Sequence, residues 1–499
     1  MKAKTVVILL AILSIGFALR LWSPELAPFD HETTDPLRMA SKIAHGELLT
    51  ESYAGGAALG PLAYYLLAIP IYISSNPLAP VIFTALLNFI ALIVLFFIAN
   101  RFFGEKAALI ATALFATNPW AVFYSRFVWN PNFLPLFSII LFGGLLYAIN
   151  KNEKHIITAF ASFACMIQIH SSALFLLPVL LFESIRINKK YLLLAFLTAG
   201  IILSPVIYFN LTNDFSGITD TFAHASHQQQ TGIVKNTLES AGISAMLSTN
   251  YLGRYIFGTE YGTNYVFGKF LFIATLLGAG IFLISFLYLF IKLFNSFKKN
   301  FNLDKNRLLL FLYIAVPIVI FIIYRQNLAP HYYLIIQPML FLMIGVFFSD
   351  MLERYRKRIH KIAAAFILIA IVLANIFTVY SMLTFAEKNG GINGTYGIPY
   401  KDKLAVAEFI EKGGINPTIL SYKANMDEYL YILDAKKINY TYKVINSLSE
   451  LEKIKNAYLI LDDYSYSVGL NSANLSDEEK EKLSQMDGIH FNKLKVVEL

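Results

Sequence analysis

Residues 271–290 read LFIATLLGAGIFLISFLYLF, a continuous apolar run without a charged side chain. A helix of this length spans about 30 Å, which is the thickness of the hydrocarbon core of a bilayer. Further apolar runs of roughly 18 to 25 residues recur through the first three quarters of the chain. The sequence therefore predicts an α-helical polytopic membrane protein.

The overall composition agrees with this prediction. The chain has 499 residues, of which 57% are hydrophobic and 15% charged, and its mean hydropathy is +0.56. A globular protein in water usually carries about 25% charged residues. The only cysteine, Cys165, lies inside an apolar run, which excludes an intramolecular disulfide and a cysteine-rich metal site.

Hydropathy and the placement of Lys and Arg together predict about eleven transmembrane helices. With a cytoplasmic N-terminus, 19 of the 27 basic residues between positions 1 and 383 fall in cytoplasmic connections. The segment Gly60 to Ser75 is too short to span and is predicted to be an interfacial or re-entrant helix. The first span, after Lys2 and Lys4, lacks a small-x-small cleavage site and is expected to remain as an anchor. The expected spans lie near residues 4–22, 77–100, 106–124, 132–150, 155–172, 173–187, 191–209, 269–291, 308–324, 331–349 and 361–382.

The charge distribution divides the chain into two expected domains. Residues 384–499 contain 14 Lys and Arg against 17 Asp and Glu, a net −3, so residues 1–383 carry 27 against 16, a net +11. The basic excess follows the positive-inside rule and gives no sign of a nucleic-acid-binding surface. We expect a membrane domain at 1–383, with outer loops at 23–76 and 210–268, and a small extracytoplasmic α/β domain at 384–499.

The first outer loop opens with an acidic cluster, PFDHETTD at residues 28–35. Its carboxylates, Asp30, Glu32 and Asp35, repel one another, so the cluster favours a cation, a proton or a hydroxyl group as partner. One chemical use is general-base catalysis, in which a carboxylate takes the proton of an attacking hydroxyl. Asp30 is the first candidate for that base and Asp35 the second. The structural alternative is a helix N-cap, with Asp35-Pro36 at the start of a helix.

A second candidate group lies at the outer end of the third span, in YSRFVWNPN at residues 124–132. Arg126 needs an anionic partner at membrane depth, and its planar fork suits a phosphate. The alternatives are snorkelling to a lipid headgroup or pairing with a loop carboxylate. Asn130 and Asn132 follow it as candidate substrate-binding amides.

Two further outer span ends carry polar residues. Gln168 and His170 end the fifth span, where both can bind substrate or simply satisfy neighbouring polar groups. Arg325, His331 and Tyr332 lie in the connection before the tenth span. Phosphate binding and anchoring at the membrane interface are equal alternatives there.

Signatures of nucleotide chemistry and of zinc proteases are absent from the sequence. It contains no Walker loop, no dinucleotide-binding glycine pattern beside a strand and helix, and no HExxH motif. We expect no cofactor, although a divalent cation among Asp30, Glu32 and Asp35 is a less favoured alternative.

Taken together, these motifs resemble the GT-C glycosyltransferases over about residues 1–350. The resemblance is to the branch that contains the protein O-mannosyltransferases, which use dolichyl-phosphate mannose, and the lipid A aminoarabinose transferases. The stretches that carry the resemblance are Asp30, GPLAYYLL at 60–67, YSR at 124–126 with WNPN at 129–132, QIH at 168–170 and HYYL at 331–334.

The resemblance implies a donor sugar on a dolichyl or undecaprenyl phosphate, inversion at the anomeric carbon, and an acidic base in the first outer loop. Asp30 matches that base. Relatives often have Asp-Glu where this chain has Asp30-His31-Glu32, and Arg-Tyr where it has His331-Tyr332. Members of this branch are often independent of metal.

The expected function is transfer of a sugar from a polyprenyl-phosphate carrier to a lipid, glycan or protein acceptor on the outer side of the membrane. The alternative is a transporter or lipid flippase, which would place ionisable groups near the bilayer midplane and often show repeated halves. Here the candidate groups cluster at outer span ends, which favours transfer.

Overall fold

Helices form most of the computed structural model. Six helices are long and apolar enough to cross a membrane, and a seventh crossing results if the bent pair Lys189–Ile202 and Ser204–Thr212 is one span. These numbers refer to the described residues, and the expected count of about eleven stays a prediction. The described residues are 2–50, 52–54, 57–150, 152–227, 232–252, 268–300, 304–324, 328–355, 357–391, 397–413, 416–423, 426–451, 453–462 and 475–499.

Seventeen helices lie between residues 3 and 389 of this described part, with short 3-10 turns between several of them. They are α1 (Ala3–Leu21), α2 (His31–Ala44), α3 (Leu62–Ile73), α4 (Leu78–Phe103), α5 (Glu105–Thr117), α6 (Pro119–Tyr124), α7 (Leu134–Asn150), α8 (Ile156–Ile169), α9 (Leu177–Ser184), α10 (Lys189–Ile202), α11 (Ser204–Thr212), α12 (Ser216–His227), α13 (Ile233–Leu247), α14 (Gly268–Asn300), α15 (Lys305–Tyr324), α16 (Gln337–Arg354) and α17 (Arg358–Asn389). The 3-10 turns that matter for the site are Asn130–Phe133, Ser171–Leu176 and Pro330–Ile335.

A single glycine makes the corner between α4 and α5. Gly104 has a φ of +89°, so α4 ends at Phe103 and α5 begins at Glu105. A residue with a Cβ rarely adopts that conformation, because the Cβ would approach the neighbouring carbonyl oxygen. The glycine thereby makes α4 and α5 adjacent helices.

Close helix packing brings α16 against α5 at Gly345. A Cβ added there would lie 2.5 Å from the carbonyl oxygen of Ala107 and 3.1 Å from the main-chain nitrogen of Ala111. Small residues permit this approach, which provides van der Waals contact where lipid supplies little hydrophobic driving force.

The span formed by α10 and α11 is broken, and the two helices are bent by 62°. Pro205 stands near the start of α11 and lacks the N–H that would continue the helical hydrogen bonding. The side chain of Gln168 binds the main chain at this break, because its Nε2 donates to the carbonyl oxygen of Ile202 at 2.7 Å. A polar residue predicted for the site thus stabilises a helix break within the bundle.

Ion pairs join α14, α15 and α16 at the end of the bundle predicted to be cytoplasmic. The carboxylate of Asp350 lies 2.6 Å from Nζ of Lys292 and 2.7 Å from a guanidinium nitrogen of Arg307. Both oxygens of Asp350 accept from Arg307, which fixes its orientation. This cluster lies far along the same helices from the outer connections described below.

The first outer loop contains α2, a short hairpin of β1 (Ser52–Ala54) and β2 (Ala57–Leu59), and α3. Helix α3 packs along α2 and measures twelve residues, about 18 Å at the rise of an α-helix. That length is too short for a membrane crossing, as the sequence predicts for Gly60 to Ser75.

The C-terminal part is a small α/β domain, as expected. Its five strands have the order β4-β3-β5-β7-β6. Strand β3 pairs in parallel with β4 and β5, whereas β7 pairs antiparallel with β5 and β6. The elements are α18 (Tyr400–Lys412), β3 (Thr418–Tyr422), α19 (Asp427–Ala435), β4 (Thr441–Ile445), α20 (Leu448–Leu451), β5 (Ala457–Asp462), α21 (Asp477–Gln485), β6 (Ile489–Phe491) and β7 (Leu494–Glu498).

The helical periodicity of residues 401–412 and the polar helical stretch at residues 477–485 predict two helices, which correspond to α18 and α21. The Ser476 hydroxyl and the Glu479 carboxylate form a reciprocal capping box at the start of α21. The predicted domain boundary at residues 383 and 384 falls inside α17, which continues to Asn389. The boundary itself stays a prediction.

Candidate active site

Asp30 forms the N-cap of α2. Its Oδ1 accepts a hydrogen bond from the main-chain N–H of Thr33 at 3.2 Å, and its main-chain oxygen accepts one from the Thr34 hydroxyl at 3.1 Å. The carboxylate thus satisfies an N–H group that the helix leaves unpaired. The alternative of a helix capped by Asp35 and beginning at Pro36 is wrong, because α2 begins five residues earlier, at His31, and contains Pro36 in its interior.

Burial separates the three carboxylates of the acidic cluster. Asp30 is half-buried, whereas the side chains of Glu32 and Asp35 are exposed on the first turns of α2. Across the described residues, no group of three or more His, Cys, Asp and Glu side chains is arranged to hold a metal ion. The expectation that catalysis needs no cofactor stays a prediction.

The C-terminal domain contacts the loop that carries Asp30. The main-chain N–H of Phe29 donates to the carbonyl oxygen of Ile398 at 3.1 Å, and the N–H of Tyr400 donates to that of Ala27 at 2.9 Å. Asp30 therefore lies directly beside a two-stranded contact between distant parts of the chain. Sequence reasoning missed this contact, because nothing in either segment identifies its partner.

Gly397 lies against the carboxylate of Asp30. A Cβ added to Gly397 would stand 3.1 Å from Asp30 Oδ2, and the φ of Gly397 is +70°. The two carboxylate oxygens thus have different surroundings. Oδ1 faces the start of α2, whereas Oδ2 faces the first residues of the C-terminal domain.

Arg126 is buried and binds the end of α1. Its guanidinium donates to the main-chain oxygens of Leu19 at 3.1 Å, Arg20 at 3.2 Å and Ser23 at 2.9 Å. A cation at this position compensates the partial negative charge at the carboxyl end of a helix. Neither a lipid headgroup nor a carboxylate is needed to account for these contacts, and phosphate binding by Arg126 stays a prediction.

Arg20, which the sequence analysis did not select, has a parallel role at the end of α5. It is 1% exposed and donates to the main-chain oxygens of Phe115, Ala116 and Gly16. The signal in the sequence was an arginine at the last turn of an apolar helix. Together Arg20 and Arg126 bind the carboxyl ends of α5 and α1.

Asn130 and Asn132 are buried in the 3-10 turn Asn130–Phe133. The Asn132 side chain donates to the carbonyl oxygen of Phe127 at 2.9 Å, and its own main-chain oxygen accepts from Asn88 at 2.9 Å. In the described part of the chain, neither Oδ1 of Asn130 nor Oδ1 of Asn132 has a hydrogen-bond donor. A buried acceptor without a donor is costly, so these oxygens are suited to a hydroxyl donor from outside the chain.

Gln168 stands against Gly60, the first residue of the GPLAYYLL stretch. A Cβ added to Gly60 would lie 2.3 Å from Cγ and 2.7 Å from Oε1 of Gln168. The absence of a side chain at Gly60 thus makes room for the glutamine that bonds Ile202. Two of the predicted motifs meet at this point.

His170, His331 and Tyr332 come together with Trp129 in one aromatic cluster. The ring centroid of His331 lies 4.4 Å from Trp129, 4.5 Å from Tyr332 and 5.3 Å from His170. The Nδ1 of His170 accepts from the main-chain N–H of Ser172 at 3.1 Å. Three predicted residues from two separate connections are therefore adjacent, and Trp129 connects them to the segment that contains Arg126.

The contacts of two residues from the predicted motifs are not described. Arg325 lies outside the described residues, and so does the side chain of His31.

A cavity of about 480 Å³ adjoins the cluster between α13, α14 and the connection before Pro330. Its wall is largely apolar, with the Glu239 carboxylate and a few hydroxyl groups as polar exceptions. Representative lining residues are Glu239, Met246, Thr249, Tyr251, Thr275 and Pro330.

Comparison with known proteins gives matches in sequence over part of the chain and in structure over nearly all of it. Residues 58–209 match the family model described as dolichyl-phosphate-mannose-protein mannosyltransferase. No curated protein matches the chain by sequence. The sequence match includes GPLAYYLL, Arg126, Gln168 and His170, which carry much of the resemblance.

Among solved structures, ArnT from Cupriavidus metallidurans is similar in its apo state, with a TM-score of 0.58 and 12% identity over 99% of this chain and 97% of that one. The same protein bound to undecaprenyl phosphate gives a TM-score of 0.59. The oligosaccharyltransferase of Archaeoglobus fulgidus, in complex with zinc and sulfate, gives 0.54 and 13% identity over 92% of this chain and 68% of that one. The resemblance to the GT-C glycosyltransferases is therefore confirmed, and the fold extends through the C-terminal domain.

Proposed function

We propose that this chain, which has the fold of the GT-C glycosyltransferases, is an integral membrane glycosyltransferase that takes its sugar from a polyprenyl-phosphate carrier. The observation that supports this most directly is the position of Asp30. Its carboxylate lies at the start of α2, between the outer ends of the helices and the C-terminal domain. A general base must be able to reach an acceptor hydroxyl, and the carboxylate of Asp30 is only half-buried.

A lipid-phosphate donor is favoured by the solved relatives. ArnT is described with undecaprenyl phosphate, and the archaeal oligosaccharyltransferase AglB with a dolichol-phosphate and an inhibitory peptide. In this chain, the apolar cavity beside Pro330 is a suitable place for the first isoprene units of such a carrier. The aromatic cluster around His331 then lies near the phosphate and sugar.

The proposed reaction is a single displacement at the anomeric carbon. An acceptor hydroxyl oxygen forms a bond to C1 of the sugar while the bond from C1 to the phosphate oxygen breaks. The hydroxyl proton passes to Asp30, and the lipid phosphate leaves with the bonding electrons. Attack from the side opposite the leaving group inverts the configuration at C1.

The residues around the base have supporting roles in this proposal. Arg325 and Arg126 are the proposed cations for the leaving phosphate, whose negative charge develops in the transition state. Arg126 also fixes the loop through its bonds to the end of α1. The Oδ1 atoms of Asn130 and Asn132 are proposed acceptors for hydroxyl groups of the sugar.

The sidedness of the reaction follows from the distribution of basic residues. With the N-terminus in the cytoplasm, Asp30 and the C-terminal domain face the outside. The acceptor is a lipid, a glycan or a protein that reaches this face.

The test is transfer of radiolabelled sugar in proteoliposomes from a panel of polyprenyl-phosphate sugars, with Asp30→Asn compared with the parent. Asparagine is as good an N-cap as aspartate and keeps an oxygen for the Thr33 N–H, so this variant removes the base and spares the helix. Loss of the base is expected to lower the rate by about 10² to 10⁴.

The matched control is the exposed carboxylate of the same helix, Asp35→Asn, which should transfer at the parent rate. Full activity of Asp30→Asn would move the base to Glu32 or Asp35. No transfer by the parent with any donor, together with passage of labelled lipid or solute across the bilayer, would replace the transferase by a transporter.

A further inference from the structure

The segment that leads into the C-terminal domain forms a short antiparallel contact with the Asp30 loop. Pro28 and Pro399 face each other as a bridge pair, and the two hydrogen bonds that flank them join Phe29 to Ile398 and Tyr400 to Ala27. In this pattern the N–H groups of the facing residues point away from the partner strand. Proline is therefore accommodated at both positions without loss of a hydrogen bond.

Aromatic packing reinforces this contact. Phe29, directly before Asp30, is completely buried. Its ring centroid lies 5.2 Å from that of Tyr400 and 6.1 Å from that of Tyr431 in the C-terminal domain. The residue preceding the proposed base thus belongs to the core of the domain interface.

A second contact joins the domain to α2 two turns beyond Asp30. The guanidinium of Arg38 lies 2.9 Å from Oδ1 of Asp427 and also donates to the main-chain oxygen of Asp427 at 3.1 Å. Each partner is about one third exposed, so the pair by itself adds little stability. Its two-point geometry fixes how the start of α19 sits on α2.

We propose that the C-terminal domain is a working part of the active site and that Gly397 is a positioning residue for the Asp30 carboxylate, an inference that rests on the proposed function. Helix α2 holds Oδ1 through Thr33, and the domain presents its main chain at Gly397 to Oδ2. The carboxylate is thereby enclosed from two sides. Any side chain at position 397 would occupy the space beside Oδ2.

The first experiment replaces this glycine and uses a second glycine as its control. Gly397→Ala adds a Cβ 3.1 Å from Asp30 Oδ2 at a φ of +70°. Gly46→Ala adds one at a φ of +98° with nothing within 4 Å. Both variants have the strain of a left-handed residue, but only Gly397→Ala displaces the carboxylate.

We expect Gly397→Ala to lower kcat per folded enzyme by about 10- to 100-fold, since small displacements of a catalytic group have effects of that size. The KM for the donor should be unchanged, and the acidic limb of the pH–rate profile should move, because the surroundings of the base change. Gly46→Ala should keep the parent values. A purely structural role of Gly397 would reduce the amount of folded enzyme but leave kcat and the acidic limb unaltered, and that result would overturn the proposal.

The second experiment tests the contact without relying on activity. Facing residues of such a pair have Cα atoms about 4.5 Å apart, which is within the range of a disulfide. Pro28→Cys and Pro399→Cys are combined in a Cys165→Ala background and oxidised in the membrane. We expect an intramolecular disulfide, absent from each single-cysteine variant, and transfer activity equal to that of the reduced form.

The outcomes separate the two hypotheses. If the parent transfers sugar but the double-cysteine variant forms no disulfide, the positioning role is refuted and the proposed transferase function stands. The same conclusion follows if the double-cysteine variant loses transfer on oxidation and regains it on reduction. A parent that transfers no sugar from any donor refutes the proposed function, and with it a catalytic role for the domain contact.

Discussion

Replacement of Gly60 by alanine tests the junction between the first outer loop and the fifth predicted span. Gly60 lies outside the left-handed region of backbone conformation, so alanine changes only the space that the residue occupies. The added Cβ would stand 2.3 Å from Cγ, 2.6 Å from Cβ and 2.7 Å from Oε1 of Gln168. The contact with Cβ of Gln168 cannot be relieved by rotation of the glutamine side chain alone.

The cost has two parts. Overpacking of a close contact costs about 1–3 kcal/mol, and displacement of Gln168 breaks its 2.7 Å bond to Ile202, which contributes about 1 kcal/mol. We therefore expect Gly60→Ala to destabilise the protein by about 2–4 kcal/mol. Gln168→Ala alone loses only the hydrogen bond and some packing.

The assay is a double-mutant cycle measured by thermal unfolding in detergent, with the single variants and Gly60→Ala/Gln168→Ala. Truncation of Gln168 removes the atoms beyond Cβ, so the double variant should be less destabilised than the sum of the single variants. A coupling of about 1–3 kcal/mol is expected for residues in direct contact. Additive effects would refute the packing reasoning.

Three further outcomes are expected. Asp30→Ala should unfold more easily than Asp30→Asn by about 0.5–2 kcal/mol, because only alanine removes the oxygen that caps α2; equal unfolding temperatures would argue against the cap. Arg126→Lys should destabilise the membrane domain by about 1–3 kcal/mol, because an ammonium cannot reproduce the guanidinium fork that binds the end of α1, and an unchanged melting curve would contradict this. In the C-terminal domain, hydrogen bonds from Lys423 and Tyr422 and from the Ser476 main chain lower the pKa of Glu479 from 4.5 to about 2. A carboxyl group with a depressed pKa stabilises the folded state above its unfolded pKa, so stability should fall as the pH drops from 4.5 to about 2. Hydrogen exchange across β3 and α21 measures this, and Glu479→Gln should be less sensitive to pH over the same interval.

Local sequence patterns predicted the elements well where each pattern was self-contained. The apolar run at residues 271–290 lies within α14, and the helical patterns at residues 401–412 and 477–485 lie within α18 and α21. The N-cap of α2 was misplaced, because the proline in Asp35-Pro36 is a strong helix-start signal, whereas the helix is capped by Asp30, five residues before Asp35.

The sequence predicted which residues at the ends of the spans form the candidate site, and the structure shows which atoms each of them contacts. Arg126 binds main-chain oxygens, whereas His331 and His170 pack with Trp129. A polar residue near the end of an apolar helix needs a partner, but the sequence alone does not distinguish a helix terminus from a phosphate as that partner.

The sequence by itself determined that this is a membrane protein, that its candidate site residues lie at the predicted outer ends of the spans, and that an acidic loop follows the first helix. These properties depend on local hydrophobicity and charge, because the hydrocarbon core favours apolar side chains and the cytoplasmic loops are enriched in basic ones. Only the tertiary structure decided that residues 397–400 pair with residues 27–30 and bring Gly397 to the Asp30 carboxylate. Main-chain hydrogen bonds between distant segments cannot be recognised in either sequence, because every residue provides a carbonyl and all but proline provide an N–H group.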